Sequence, residues 1–118
     1  FQAVEGVTPP ALPTQESGHA WHLYAIAIDF NRFGLTRGQV IRALSNRGIG
    51  TQVHYIPLHH QPFYQDAHIT DLSGAESYYA STLSIPMHMK MTEQDAEWIA
   101  SEIQAVLNAG GEIDMANR

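Results

Sequence analysis

Cysteine is absent from this chain, lysine occurs once, and the longest unbroken apolar run, at 23–28, is six residues. Without cysteine there is no disulfide framework, no thiol nucleophile and no cysteine-based zinc site, a composition that fits a cytoplasmic protein. Six apolar residues fall far short of the roughly 20 that span a bilayer, so this run reads as a buried strand. Positive charge is also scarce: 6 Lys+Arg stand against 12 Asp+Glu, a formal net charge of −6. A partner built on phosphate backbone or anionic lipid needs a basic face, so neither nucleic acid nor membrane is expected as a partner. With Lys90 the only lysine, lysine chemistry must use that residue or lie elsewhere in a longer chain. No secretory pattern of charged, apolar and cleavage regions is visible. The chain starts at Phe1 rather than at a methionine, and a fragment is expected.

What is present amounts to one domain, since 118 residues match the roughly 100–150 that a single core takes. Residues 1–18 hold three prolines and two glycines without periodicity and read as an extended connector, with the packed domain over 19–118. The stretch 22–29 is aromatic and β-branched with apolar residues on both faces, the pattern of a central strand covered on both sides. Thr36 with Gln39 three positions on has capping-box spacing, followed by Val40, Ile41 and Leu44 at helical intervals and Gly48 as the stop. A strand is expected over 49–56, alternating up to Pro57. Residues 57–74 read as a long loop with one short turn near 62–65. Ser73 is expected to cap a short helix, a strand over 83–85 to stop at Pro86, and Thr92 to cap a last helix whose stripe is Ala96, Ile99, Ile103, Val106 and Leu107. The expectation is a small α+β domain with a sheet of about three strands covered by helices.

Of seven histidines, His54, His59, His60 and His68 fall in one segment. A zinc site needs imidazole or carboxylate groups converging at about 2 Å from the ion; His59 and His60 are adjacent and expected to point apart, and no HExxH helix exists, so no metal site is assigned. Gly48-Ile49-Gly50 lies between a helix and a strand, the reverse of the strand-to-helix order that aims a helix N-terminus at a phosphate. No GxSxG elbow marks a nucleophile. His54 and Tyr55 are the strongest candidates, at the end of a strand entering a long loop, where an imidazole is held firmly and can reach a sugar hydroxyl or phosphate. The plain alternative is a half-buried strand histidine bonded to a carbonyl.

The blocks HAWHLYAIAID, GIGTQVHYIPLHHQPFYQ, SGAESYYASTLSIP and MHMKMTEQDAEWIASEI together resemble the C-terminal small domain of the DegT/DnrJ/EryC1/StrS sugar aminotransferases. The likeness runs from His19 to about Leu107 and, within the family, is greatest to enzymes that aminate UDP-linked 4-keto sugars of the pseudaminic acid or aminoarabinose type. It implies the small domain of the aspartate-aminotransferase fold, pyridoxal phosphate as cofactor, a nucleotide-linked keto sugar and glutamate as substrates, and a homodimer. It also implies that the Schiff-base lysine, the aspartate on the pyridinium nitrogen and most phosphate contacts lie in a large domain absent from this chain, so that no catalytic residue is assigned and the piece alone is inert. Lys90 does not match the family's lysine motif. Carried over as substrate-binding positions are His54 first, Tyr55 second, then His59 and Tyr64. The competing expectation is a free-standing, non-enzymatic binding module that uses the histidine-rich loop for a ligand, metal or partner.

Overall fold

A computed structural model describes residues 4–14, 18–64 and 71–110. Its elements are β1 (Val7–Thr8), β2 (Tyr24–Ile28), α1 (Arg37–Ser45), α2 (Ser73–Ser81), β3 (Thr82–Ile85) and α3 (Glu93–Ala109), with two short 3-10 turns at Leu58–His60 and Pro62–Tyr64. The three strands form one antiparallel sheet in the order β1-β2-β3, so the architecture is α+β and β2 is central.

Register decides the two faces. Ile26 pairs with Leu83, Tyr24 with Ile85 and Ile28 with Val7. Partners across a ladder share a face, so these apolar side chains form one surface, where Ile26, Ile28, Leu83 and Val7 are buried. Against it pack α1 through Val40 and Leu44 and α3 through Ile99, Ile103, Val106 and Leu107. The opposite face carries Ala25 with Ser84 and Ala27 with Thr82. These small side chains leave room for α2, which contacts β2 yet contributes no buried residue of its own.

Helices α1 and α3 start as their sequences dictate. Thr36 Oγ1 accepts from Gln39 N–H while Gln39 reaches back to Thr36 N–H, and Thr92 with Asp95 repeats the device. Two orphan donors are satisfied at each helix start. At the end of α1, Gly48 takes φ 78° and donates to the Ser45 carbonyl at 3.0 Å, while Ile49 N–H donates to Leu44 O at 2.9 Å. This bond pair is a Schellman turn, sealed by contact between apolar residues at its two ends, here Leu44 and Ile49, both buried.

Four expectations change. Val7 and Thr8, inside the segment expected as connector, form β1, and Val7 joins the core. The strand over 49–56 reduces to a single bridge, Gln52 with Ser84. Both faces of that segment mix polar and apolar side chains, so nothing there holds a longer register. Tyr55 and Ile56 are exposed instead. Ser73 is the first residue of α2 rather than its cap; the Asp71 carboxylate accepts from Ser73 N–H at 3.2 Å. Ala96 is exposed, while the rest of the α3 stripe is buried.

Candidate functional site

The site is built where the chain crosses from the sheet to α2. Ser84 lies on the α2 side of β3, paired with both Ala25 and Gln52. Backbone bonds run both ways between Ser84 and Gln52, at 3.0 and 2.8 Å, and fix the chain two residues before His54. His54 Nδ1 then lies 2.9 Å from Ser84 Oγ. The ring is half-buried, as the plain alternative expected, but its partner is a hydroxyl rather than a carbonyl. From α2, the Tyr78 hydroxyl donates to the His54 carbonyl at 3.4 Å. Tyr55 follows across a cis peptide, its ring edge-on to His54 with centroids 4.7 Å apart, and is 72% exposed. With Nδ1 occupied by Ser84, the Nε2 edge of His54 remains for a ligand. Where the Ser84 hydroxyl donates to Nδ1, Nε2 carries the ring proton and is a donor.

A second cluster sits on the following turn. His59 Nε2 and His60 Nε2 lie 2.5 and 2.7 Å from the same oxygen, Glu76 Oε1. The expectation that adjacent imidazoles point apart is therefore overturned. The rings are edge-on, with centroids 4.5 Å apart and planes at 70°. Hydrogen bonds from His59 and then His60 hold the Glu76 carboxyl below its ordinary value. Behind them the Tyr79 ring meets His60 edge-on at 5.8 Å, and the Arg37 guanidinium lies 4.5 Å over that same ring while donating to the Tyr79 and Thr82 carbonyls. Tyr64 is edge-on to Phe63, and both are exposed.

Hydrogen bonds and ring contacts of the described residues thus join His54 to Tyr55 and His59 to His60, without joining one pair to the other. His68 lies outside the described residues. Sequence reasoning missed Ser84, Glu76 and Tyr78. Glu76 and Tyr79 are three apart on a helix, a spacing that puts them on one face, but the sequence does not say that this face looks at the 57–64 turn. Tyr55, Ile56, Leu58, Phe63 and Tyr78 are each exposed. A groove of about 390 Å³ between the end of β3 and α3, lined by Tyr24, Ile85, Met87 and Met91, carries none of the four candidate residues.

Residues 1–104 match the DegT/DnrJ/EryC1/StrS aminotransferase family. The chain belongs to this family. The spore coat polysaccharide biosynthesis protein SpsC of Bacillus subtilis is 34% identical over 111 residues, which are 91% of this chain and 28% of that protein. In structure the chain is similar to the aminotransferase TlmJ of Streptoalloteichus hindustanus, with TM-score 0.77 and 28% identity over 92% of this chain and 28% of that one. It is equally similar to Helicobacter pylori PseC, an aminotransferase of pseudaminic acid biosynthesis, with TM-score 0.77 and 28% identity over 92% of this chain and 29% of that one. The chain therefore spans a little over a quarter of the relatives it matches.

Aminotransferases of this family use pyridoxal phosphate, and the residues here do not fit its anchoring. Lys90, the single lysine, is exposed on the turn between β3 and α3, where its backbone N–H donates to His88 Nδ1 at 3.2 Å. No helix among the described residues is long and apolar enough to cross a membrane.

Proposed function

We propose that this chain is the small-domain portion of a sugar aminotransferase that moves an amino group from glutamate to a nucleotide-linked keto sugar, and that it supplies one wall of the sugar-nucleotide site. The observation that carries the reading is His54. An imidazole is anchored at Nδ1 by a hydroxyl on the sheet and faces an exposed aromatic border, in a chain whose family is that of the aminotransferases. Rigid elements hold a binding side chain more accurately than a free loop does, and the Ser84 anchor gives His54 that support although its own segment is not a strand. His54 donates to a sugar hydroxyl or phosphate oxygen through Nε2, Tyr55 offers its phenol beside it, and His59 and Tyr64 line the adjoining turn.

Pyridoxal phosphate, which serves as an electron sink for amino-group chemistry, is held in this reading by residues outside the chain, in a cytoplasmic homodimer. No step is assigned to Lys90. The experiment is amination of a UDP-linked 4-keto sugar with glutamate by the full-length protein, followed by detection of the amino sugar. Formation of 2-oxoglutarate in step with the amino sugar supports the reading; its absence across nucleotide-linked keto sugars counts against it. The 118-residue chain is expected neither to develop the absorbance band of a lysine-bonded cofactor nor to transaminate. A borohydride-trapped adduct at Lys90 accompanied by turnover would overturn that assignment.

A further inference from the structure

We propose that His59, His60 and Glu76 form a binding site for a divalent transition-metal ion of borderline character, of the Zn2+ type. Their donor atoms, two imidazole nitrogens and one carboxylate oxygen, all lie within 4.8 Å of one another. More telling is that both Nε2 atoms address the same oxygen, at 2.5 and 2.7 Å. Without a metal, each nitrogen must carry a hydrogen to share that acceptor. A metal ion takes the Nε2 lone pairs once those hydrogens have moved to Nδ1 or to solvent, and it sits between the two nitrogens and the carboxylate oxygen.

The geometry asks for little movement. Zinc bonds of about 2.0–2.1 Å in a tetrahedral arrangement set ligand atoms roughly 3.3 Å apart. Reaching that spacing opens the two present contacts, 2.5 and 2.7 Å, by about 0.6–0.8 Å, and the two nitrogens start within 4.8 Å of each other. Two imidazoles and a carboxylate match zinc and its neighbours in the transition series; magnesium and calcium take oxygen ligands instead. Three protein ligands leave a fourth position for water, and the side-chain exposure of His60 and Glu76, 37% and 49%, provides the entry path.

The surroundings orient the ligands. Glu76 is in the first turn of α2, where the helix dipole favours its ionised form. Tyr79, one turn on, abuts the His60 ring and is itself held beneath Arg37. Neither 3-10 turn of the 57–64 segment, nor α2, contains a buried residue. A metal bridging Leu58–His60 to α2 therefore joins two elements that the core does not hold. The inference stands on the cluster alone and does not require the aminotransferase reading.

The test is isothermal titration of the full-length protein, previously treated with chelator and reloaded with pyridoxal phosphate, with ZnCl2 and separately with MgCl2, alongside His59→Ala and Glu76→Gln. The expected result is one Zn2+ site per chain, no response to Mg2+, and affinity reduced at least about tenfold in each variant. Loss of a supporting residue alone costs about 10–100-fold. Because none of the elements involved contributes to the core, far-UV dichroism of the variants should match the parent; if one variant is misfolded, His60→Asn replaces it. Visible d–d absorption of bound Co2+, lost in the same variants, is the second readout. Failure to bind Zn2+, or equal binding by parent and variants, overturns the proposal. Zn2+ binding is read by titration and amination by the keto-sugar assay, so the two readings can fail separately.

Discussion

Gly48→Ala isolates a purely conformational cost at the point where α1 hands the chain on toward His54. Gly48 holds φ 78°, and a Cβ built there meets nothing within 4 Å, so no steric collision contributes. An L-residue in the left-handed region costs roughly 1–2 kcal/mol. Reduced freedom of the unfolded chain returns about 0.4–1 kcal/mol. The net expectation is about 1 kcal/mol of destabilisation, since the Schellman turn cannot relax without withdrawing Leu44 and Ile49 from the core, where they are 0% and 1% exposed. Gly50 is the internal control: it too has nothing within 4 Å, but its φ is not positive. Gly50→Ala should therefore be neutral or stabilising by up to about 1 kcal/mol. The two variants differ by about 1.5 kcal/mol, which at a urea m-value of about 1–3 kcal/mol/M separates their midpoints by about 0.5–1.5 M. Coincident midpoints, or a Gly50 variant as damaged as the Gly48 variant, would refute the reasoning.

Other expectations follow from the same contacts. Ile103→Ala, at a side chain with 0% exposure between α3 and the sheet, should cost about 2–5 kcal/mol in equilibrium unfolding; a loss below about 1 kcal/mol would mean that this core collapses around the gap. Thr92 N–H and then the Thr92 hydroxyl hold the Asp95 carboxyl below its ordinary 3.8. A depressed folded-state value means the contribution is present above pH 3.8 and lost as pH falls through the lower folded value. Asp95→Asn should flatten the acid limb of stability against pH in that window, and an unchanged limb would remove Asp95 from the account. Ser84→Ala frees the imidazole of His54; the loss of one hydrogen bond, about 1 kcal/mol, should raise KM for the sugar nucleotide about fivefold in the full-length protein, and an unaltered KM would show that the anchor does not position His54.

What the sequence disclosed was local. The capping boxes at Thr36 and Thr92, the glycine stop at Gly48 and the apolar period of α3 each involve residues within a few positions of one another, and all appear as expected, apart from the exposure of Ala96. The two-sided apolar run identified the central strand because both faces of β2 are covered. Hidden were pairings between distant segments. Two residues at Val7–Thr8 carry no periodicity, yet β2 accepts them as its other neighbour. The alternation after Gly48 suggested a strand, but only Gln52 meets a partner there. His54 was a candidate through its place beside a long loop, and His59 through the family resemblance. Their partners Ser84 and Glu76, respectively 30 and 17 residues away, were not, since tertiary contact alone selects them. The convergence of His59 and His60 depends on ring orientation, which adjacency in sequence does not reveal.

The most direct test of the proposed wall of the sugar-nucleotide site is steady-state kinetics of His54→Ala in the full-length protein, with bound pyridoxal phosphate measured in the same preparations. The account predicts a higher KM for the keto sugar nucleotide, or a lower kcat, with cofactor content unchanged. Loss of the cofactor together with unaltered affinity for the sugar nucleotide would contradict it.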